Sequence, residues 1–160
     1  MYPTVGFRCS RTSLAVLLLL VGIFLLAGTL QAQSGPTSAQ AQMIKDNVKV
    51  IYFPFNIYNK TVNPDVLNAD AEYLKQNPDA RFWIQAYADI RGDIVYNLVL
   101  SYHRAQYVKN YLVHRGVSES QIGFATGWGK LYQTCEQKDE KCYQENRRAD
   151  VIPPDLLPAI

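Results

Sequence analysis

Asp89, Gly92 and Arg104 are the residues whose types and spacing could do chemistry together. Asp89 sits just past a run, Arg81 to Tyr87, that reads as a strand. Gly92 lets the chain turn tightly, and Arg104 lies about two turns into the helix predicted next. Such an order brings a carboxylate and a guanidinium to one mouth of a fold. The pair suits a zwitterion, because the carboxylate takes an ammonium and the guanidinium takes a carboxylate through paired hydrogen bonds. The same two residues also fit a structural ion pair at a strand-to-helix turn, and spacing alone leaves both readings open. Asp89 and Asp93 could be taken for the two carboxylates of a glycosidase. They share one turn, however, and cannot flank a sugar from opposite sides. No nucleophile with a base beside it is legible, so a binding protein is expected rather than an enzyme.

Cys135 and Cys142 have six residues between them, inside a polar stretch. Two cysteines would need two further ligands to hold a metal, and the chain has only His103 and His114 to offer, eleven residues apart. A disulfide is expected if the chain is exported to an oxidising compartment, and two free surface thiols otherwise. There is no HExxH, no CxxC and no P-loop, and no metal or cofactor is expected.

The 160 residues suffice for one ordinary domain. With 48% hydrophobic and 19% charged residues, the chain is neither a disordered tail nor a polytopic membrane protein. Its net charge of +2 is local. Residues 1–32 hold Arg8 and Arg11 and no acid, so the 16 Lys and Arg less those two leave 14, against 14 Asp and Glu. A neutral body lacks the phosphate-neutralising excess of a nucleic-acid binder.

The N-terminus has the charged-then-apolar order of an export signal. Leu14 to Leu30 is 17 residues of almost unbroken apolar sequence behind Arg8 and Arg11. This is long for a signal core and short of the roughly 20 residues of a membrane span. Residues 1–32 are therefore either a signal peptide cut after Ala32 or an inner-membrane anchor with the arginines on the cytoplasmic side. Leu26-Ala27-Gly28 is the start of a lipidation motif, but Thr29 stands where the acceptor cysteine must be, and a hydroxyl cannot take that thioether. Cys9 precedes the apolar run and is not a candidate either. Residues 33–42 are small and polar and read as a flexible linker.

The body, residues 43–152, must position the candidate pair. Val48 to Phe55 alternates as a strand. Asn63-Pro64 opens a helix with Leu67, Ala71 and Leu74 on one face, and Asn77-Pro78 ends it. Arg81 to Tyr87 is the second strand. Leu98, Ser101, Ala105, Val108 and Leu112 step by three and four along a second helix that Gly116 closes. Gln121 to Thr126 is a third strand, and 128–145 a polar loop with room for one helical turn at its end. Arg148 to Ile152 is a fourth strand, and residues 153–160 an irregular proline-rich tail. The order β-α-β-α-β-loop-β predicts an α+β two-layer sandwich with both helices on one face of the sheet.

Four segments in this order resemble the OmpA-like domain, the periplasmic peptidoglycan-binding module shared by OmpA, the peptidoglycan-associated lipoprotein and the flagellar stator protein. They are Ile51-Tyr52-Phe53-Pro54-Phe55, Tyr87-Ala88-Asp89-Ile90-Arg91-Gly92, Tyr96-Asn97-Leu98-Val99-Leu100-Ser101-Tyr102-His103-Arg104-Ala105 and Asn146-Arg147-Arg148-Ala149-Asp150. Gly127-Trp128-Gly129-Lys130 is similar to a further family turn, and a cysteine pair before the last segment occurs in many members. The resemblance implies that Asp89 and Arg104 hold the diaminopimelate side chain of a stem peptide. It implies that Asn97 and Leu100 line the pocket, and that Arg148 braces its floor or reaches a ligand carboxylate. Arg147 and Arg148 also fit charges at a sheet edge, while Tyr52 and Tyr96 are expected in the core. Where the family has Gly-His-Thr, this chain has Ala86-Tyr87-Ala88, which removes a hydroxyl beside Asp89, and Pro54 and Asn56 replace acidic positions. The implied partner is peptidoglycan, in the periplasm at the cell wall, with membrane contact only through an uncleaved N-terminal segment. The alternative is a structural subunit of an envelope-spanning complex whose domain contacts other subunits.

Overall fold

The computed structural model describes residues 38–154. The leader, Thr29, Cys9, residues 33–37 of the linker and the tail beyond Pro154 lie outside the described residues. The elements are α1 (Ser38–Asn47), β1 (Ile51–Tyr52), α2 (Pro64–Gln76), β2 (Phe82–Ala86), α3 (Ile94–His114), β3 (Ile122–Gly127), α4 (Glu140–Asn146) and β4 (Arg148–Ile152), with a 3-10 turn at Glu119–Gln121. The strands form one sheet in the order β1-β4-β2-β3, with β4 antiparallel to both neighbours and β2 parallel to β3. No helix among the described residues is long and apolar enough to cross a membrane.

One apolar cluster joins the layers. Ile51, Phe53, Phe82, Ile84, Ala86, Ala149 and Val151 from the sheet side meet Leu67, Ala71 and Leu74 of α2 and Ala105, Val108 and Leu112 of α3. Both helices thus cover one face, as the periodicities predict. Period-two alternation puts Gln85, Tyr87, Arg148 and Asp150 on the other face. There the Tyr87 hydroxyl donates to Gln85 at 2.8 Å, and the Arg148 guanidinium lies 3.9 Å from the Tyr87 ring centroid.

The structure departs from the expected elements in four places. Residues 38–42, read as flexible linker, form the first turn of α1, because Ala41, Ile44 and Val48 at helical spacing bury against the domain. The first strand shrinks to two residues, since side chains take over its backbone bonds. Asp70 accepts from the Lys49 N–H at 3.1 Å, while Asn63 accepts from the Tyr52 N–H and donates to the Val50 carbonyl, both at 2.9 Å. Asn63 therefore holds β1 and makes no side-chain cap on α2. The polar loop contains the two-turn helix α4, capped by Asp139, whose carboxylate accepts from the Cys142 N–H at 2.8 Å.

Finally, α3 starts at Ile94, four residues before its first expected contact. Asp93 accepts from the N–H groups of Val95 and Tyr96 at 2.8 and 3.2 Å, so this acid is a helix cap. Leu98, expected in the core, is 47% exposed. The backbone of the β3 exit packs directly on α3 here: a Cβ on Gly127 would lie 2.1 Å from the Tyr102 nitrogen. The buried positions of this half-helix are Asn97, Leu100, Ser101 and Arg104, and three of them are polar.

Candidate functional site

A cavity of about 80 Å³ opens at the C-terminal end of β2. Three segments wall it: the loop after β1, the turn from Ala88 to Gly92, and the first turns of α3. Arg147, just before β4, closes its side. Gly92 turns the chain at φ +85°, and Asn97 fastens the turn by donating to the Arg91 carbonyl at 2.6 Å. Of the residues expected at the site, Asp89, Asn97, Leu100 and Arg104 all line this cavity. Arg148 does not. It lies on the opposite sheet face, bonded to Asp150 at 3.1 Å and to the Tyr132 carbonyl at 3.3 Å. Alternation along β4 sends its neighbour Arg147 to the cavity instead. Tyr52 is half-buried, whereas Tyr96, expected in the core, is 52% exposed. It bonds Asn56 at the cavity rim, because the first turn of α3 projects beyond the sheet.

Asp89 and Arg104 are both buried, and each is engaged by other groups. Asp89 accepts four hydrogen bonds: from the Arg91 backbone N–H, Nε and Nη2 at 3.0, 3.1 and 2.8 Å, and from Arg147 Nη1 at 3.0 Å. Arg147 continues to Glu140 and Gln144, both at 2.7 Å, and Arg91 reaches Glu140 at 3.3 Å. The four side chains close a ring of alternating charge, Arg91–Asp89–Arg147–Glu140. Its inner half, Asp89 and Arg147, has side chains only 3% and 4% exposed; Arg91 and Glu140 face water at 35% and 65%. Arg91 is also stacked between two rings, 4.3 Å from Phe55 and 4.2 Å from Tyr143.

Among the described residues, Arg104 is the largest fully buried side chain. It donates to the carbonyls of Ile57, Tyr87 and Pro54 at 3.0, 2.8 and 3.0 Å, and thereby ties the loop after β1 to the end of β2. The open alternatives from the sequence, a carboxylate ready for an ammonium or an Asp89–Arg104 ion pair, are both replaced. Asp89 pairs with Arg91 and Arg147, and Arg104 pairs with carbonyls. Burial pushes the Arg104 guanidinium down to about 10, helped by the charge of Arg147, so it remains a cation at neutral pH. Burial works to raise the Asp89 carboxyl, but hydrogen bonds from Arg91 and Arg147 outweigh it and hold the group below the usual carboxylate range. Against two carboxylates the site carries three guanidinium groups, so one positive charge is left over, on Arg104.

Arg91, Arg147 and Glu140 are not among the site residues expected from the sequence, although Arg147 is weighed there beside Arg148 as a charge at a sheet edge. Arg91 had a signal: an Asx turn places the residue two after an Asp against its carboxylate. Arg147 had the parity of β4. Glu140 had none, because it depends on α4.

Cys135 and Cys142 form a disulfide, with Cα atoms 5.3 Å apart, which ties the loop after β3 to α4.

The OmpA family model matches residues 53–149, which contain every residue lining the cavity and the elements α2, β2, α3, β3 and α4. The chain belongs to the OmpA family. The peptidoglycan-associated lipoprotein of Haemophilus influenzae is 33% identical over 107 residues, covering 66% of this chain and 69% of that protein. That of Legionella pneumophila is 40% identical over 86 residues, 54% of this chain and 48% of its own. Among solved structures, the peptidoglycan-associated lipoprotein from Burkholderia pseudomallei aligns with a TM-score of 0.61 at 34% identity, covering 65% of this chain and 88% of that one. The cell wall anchor of the type VI secretion system from Pseudomonas aeruginosa aligns at 0.54 and 16% identity over 71% and 95%, a likeness of fold. In this OmpA-family domain the aligned region includes the Asp89 turn and the Arg104 helix, and excludes the leader, α1 and the tail.

Proposed function

We propose that this chain is a non-catalytic cell-envelope protein that binds peptidoglycan non-covalently through the Asp89–Arg104 cavity and so fixes its own tether, or an attached complex, to the cell wall. The observation that carries the reading is Arg104, a buried cation at the cavity with carbonyls but no carboxylate for partners. A diaminopimelate side chain ends in an ammonium and a carboxylate; the carboxylate would meet Arg104 and the ammonium would meet Asp89. Asn97 and Leu100 shape the wall of the pocket. The names of the relatives, peptidoglycan-associated lipoprotein and peptidoglycan-binding protein, support the same ligand. Lipid anchoring does not come with the ligand, because Thr29 stands at the acceptor position. The place of action is the periplasm, at the wall.

The test is co-sedimentation with purified sacculi. In variants that still melt cooperatively, Asp89→Asn should cost about 2 kcal/mol of binding because it strands the ligand ammonium, and Arg104→Lys should cost less, because it keeps the charge and loses only the paired fork. Unchanged pelleting of a folded Asp89→Asn protein would sink the reading. A second reading, that the domain contacts other subunits of an envelope complex, is favoured by one feature. Ile94, Val95, Leu98, Val99 and Tyr102 expose an uncharged apolar stripe on the first turns of α3. A protein that ignores sacculi yet co-purifies with envelope subunits would support it.

A further inference from the structure

The ammonium half of that ligand has a competitor inside the protein. Arg91 lays its guanidinium against both oxygens of Asp89, with Nε at 3.1 Å from one and Nη2 at 2.8 Å from the other. Its backbone N–H adds a third bond at 3.0 Å, and Arg147 takes a further site at 3.0 Å. A carboxylate offers about four acceptor positions, so none is left for a ligand ammonium. One of the two arginines has to leave before an ammonium can bind. Arg147 is held by Phe53, Glu140 and Gln144 as well as Asp89, with its side chain only 4% exposed. Arg91 is 35% exposed, and its other polar partner is Glu140, itself 65% exposed. The movable cation is therefore Arg91. Its removal would leave Phe55 and Tyr143 as two ring faces, each suited to a cation, beside the vacated carboxylate.

We propose that Arg91 sets the ligand preference of this pocket: its guanidinium holds the position on Asp89 that a ligand ammonium needs, so a ligand carboxylate is accepted freely on Arg104 while an ammonium enters only by displacing Arg91. The proposal rests on the reading of the cavity as the peptidoglycan site. Arg91 competes with one end of the ligand and leaves the other end untouched. The native domain consequently discriminates less between a stem peptide whose diaminopimelate amine is free and one whose amine is acetylated than a domain with an unblocked Asp89 would. An arginine beside a carboxylate shifts its proton affinity by one to three pKa units, and a half-exposed one belongs at the low end. Freeing Asp89 should then be worth on the order of tenfold in affinity for the free amine.

The experiment compares the native domain with Arg91→Gln, by calorimetry, against a diaminopimelate tripeptide and the same peptide acetylated on the side-chain amine. The Asp89 carboxyl is titrated by NMR in both proteins without ligand. The expected result is a gain of about tenfold for the free amine only, with the Asp89 carboxyl moving up in Arg91→Gln. Weaker binding of both peptides would overturn the proposal and make Arg91 a direct ligand contact. Unchanged binding of both, or an Asp89 titration that does not move, would overturn it as well. If neither peptide binds either protein while the Asp89 titration moves as expected, the peptidoglycan reading of the cavity has failed, and with it any role of Arg91 toward this ligand. In that outcome the contact between Arg91 and Asp89 itself still stands.

Discussion

Beside the binding role proposed for it, Arg104 has a structural duty that separates at the level of its atoms. Three of its N–H groups hold the carbonyls of Pro54, Ile57 and Tyr87. Both Asp89 and Arg104 are buried, so their mutation bears on folding as well as on binding. Arg104→Ala should lower stability by about 3 kcal/mol, since buried carbonyls lose their donors and a void forms. Arg104→Lys should recover part of that, because an ammonium supplies charge and donors but not the planar fork. Denaturant titration of both variants checks the order; an Arg104→Ala protein as stable as the parent would show that the three bonds contribute nothing. Pattern reading found the residue and missed its partners, because the carbonyls it holds lie about 50 and 17 positions away in sequence.

Among the elements, the join of α1, β1 and α2 depends on a buried acid. Asp70 on α2 accepts from the Lys49 N–H and is 1% exposed. Burial raises its carboxyl to about 6, against smaller opposing effects of the Lys49 hydrogen bond and charge. The folded state therefore binds this proton more tightly than the unfolded chain does, and the contribution to stability is full below about pH 4 and declines as pH rises through 6. Asp70→Asn should remove the decline between those values and leave the neutral-pH protein at least as stable, as read from melting temperatures across that range. A parent protein with no loss of stability from pH 4 to 6 would contradict the assignment.

At the other end, the bridge from Cys135 to Cys142 fixes α4. Cys135→Ser should cost about 2 kcal/mol, mainly through the unfolded chain, with the sheet intact by circular dichroism. Labelling of the denatured, unreduced parent should find neither of these thiols free.

Over the whole molecule, the layers were legible because Ala105, Val108 and Leu112 on one helix and Phe82, Ile84 and Ala86 on one strand repeat at the periods of buried faces. Helix α1 was missed because its composition, Ser38-Ala39-Gln40-Ala41-Gln42, is that of a linker, although Ala41, Ile44 and Val48 carry the right spacing. The site was half legible. Asp89, Asn97, Leu100 and Arg104 follow from motif and spacing, whereas the choice between Arg147 and Arg148 turned on the parity of a strand one residue away. For the leader, we expect a mature chain beginning near Gln33 in the soluble or wall-associated fraction. An intact mass that still includes residues 1–32, recovered with inner membranes, would make the apolar run an anchor.

The charged ring has a further consequence, one of timing. Two of its members, Glu140 and Arg147, sit at the two ends of α4, and α4 is fastened by a bond that thiol-rich cytoplasm does not allow to form. In the reduced chain the sheet and the Arg104 scaffold keep their own bonds, while α4 loses the tie that fixes the fourth side of the cavity. On the proposed function, a grip on the wall therefore tightens only once that bond has formed.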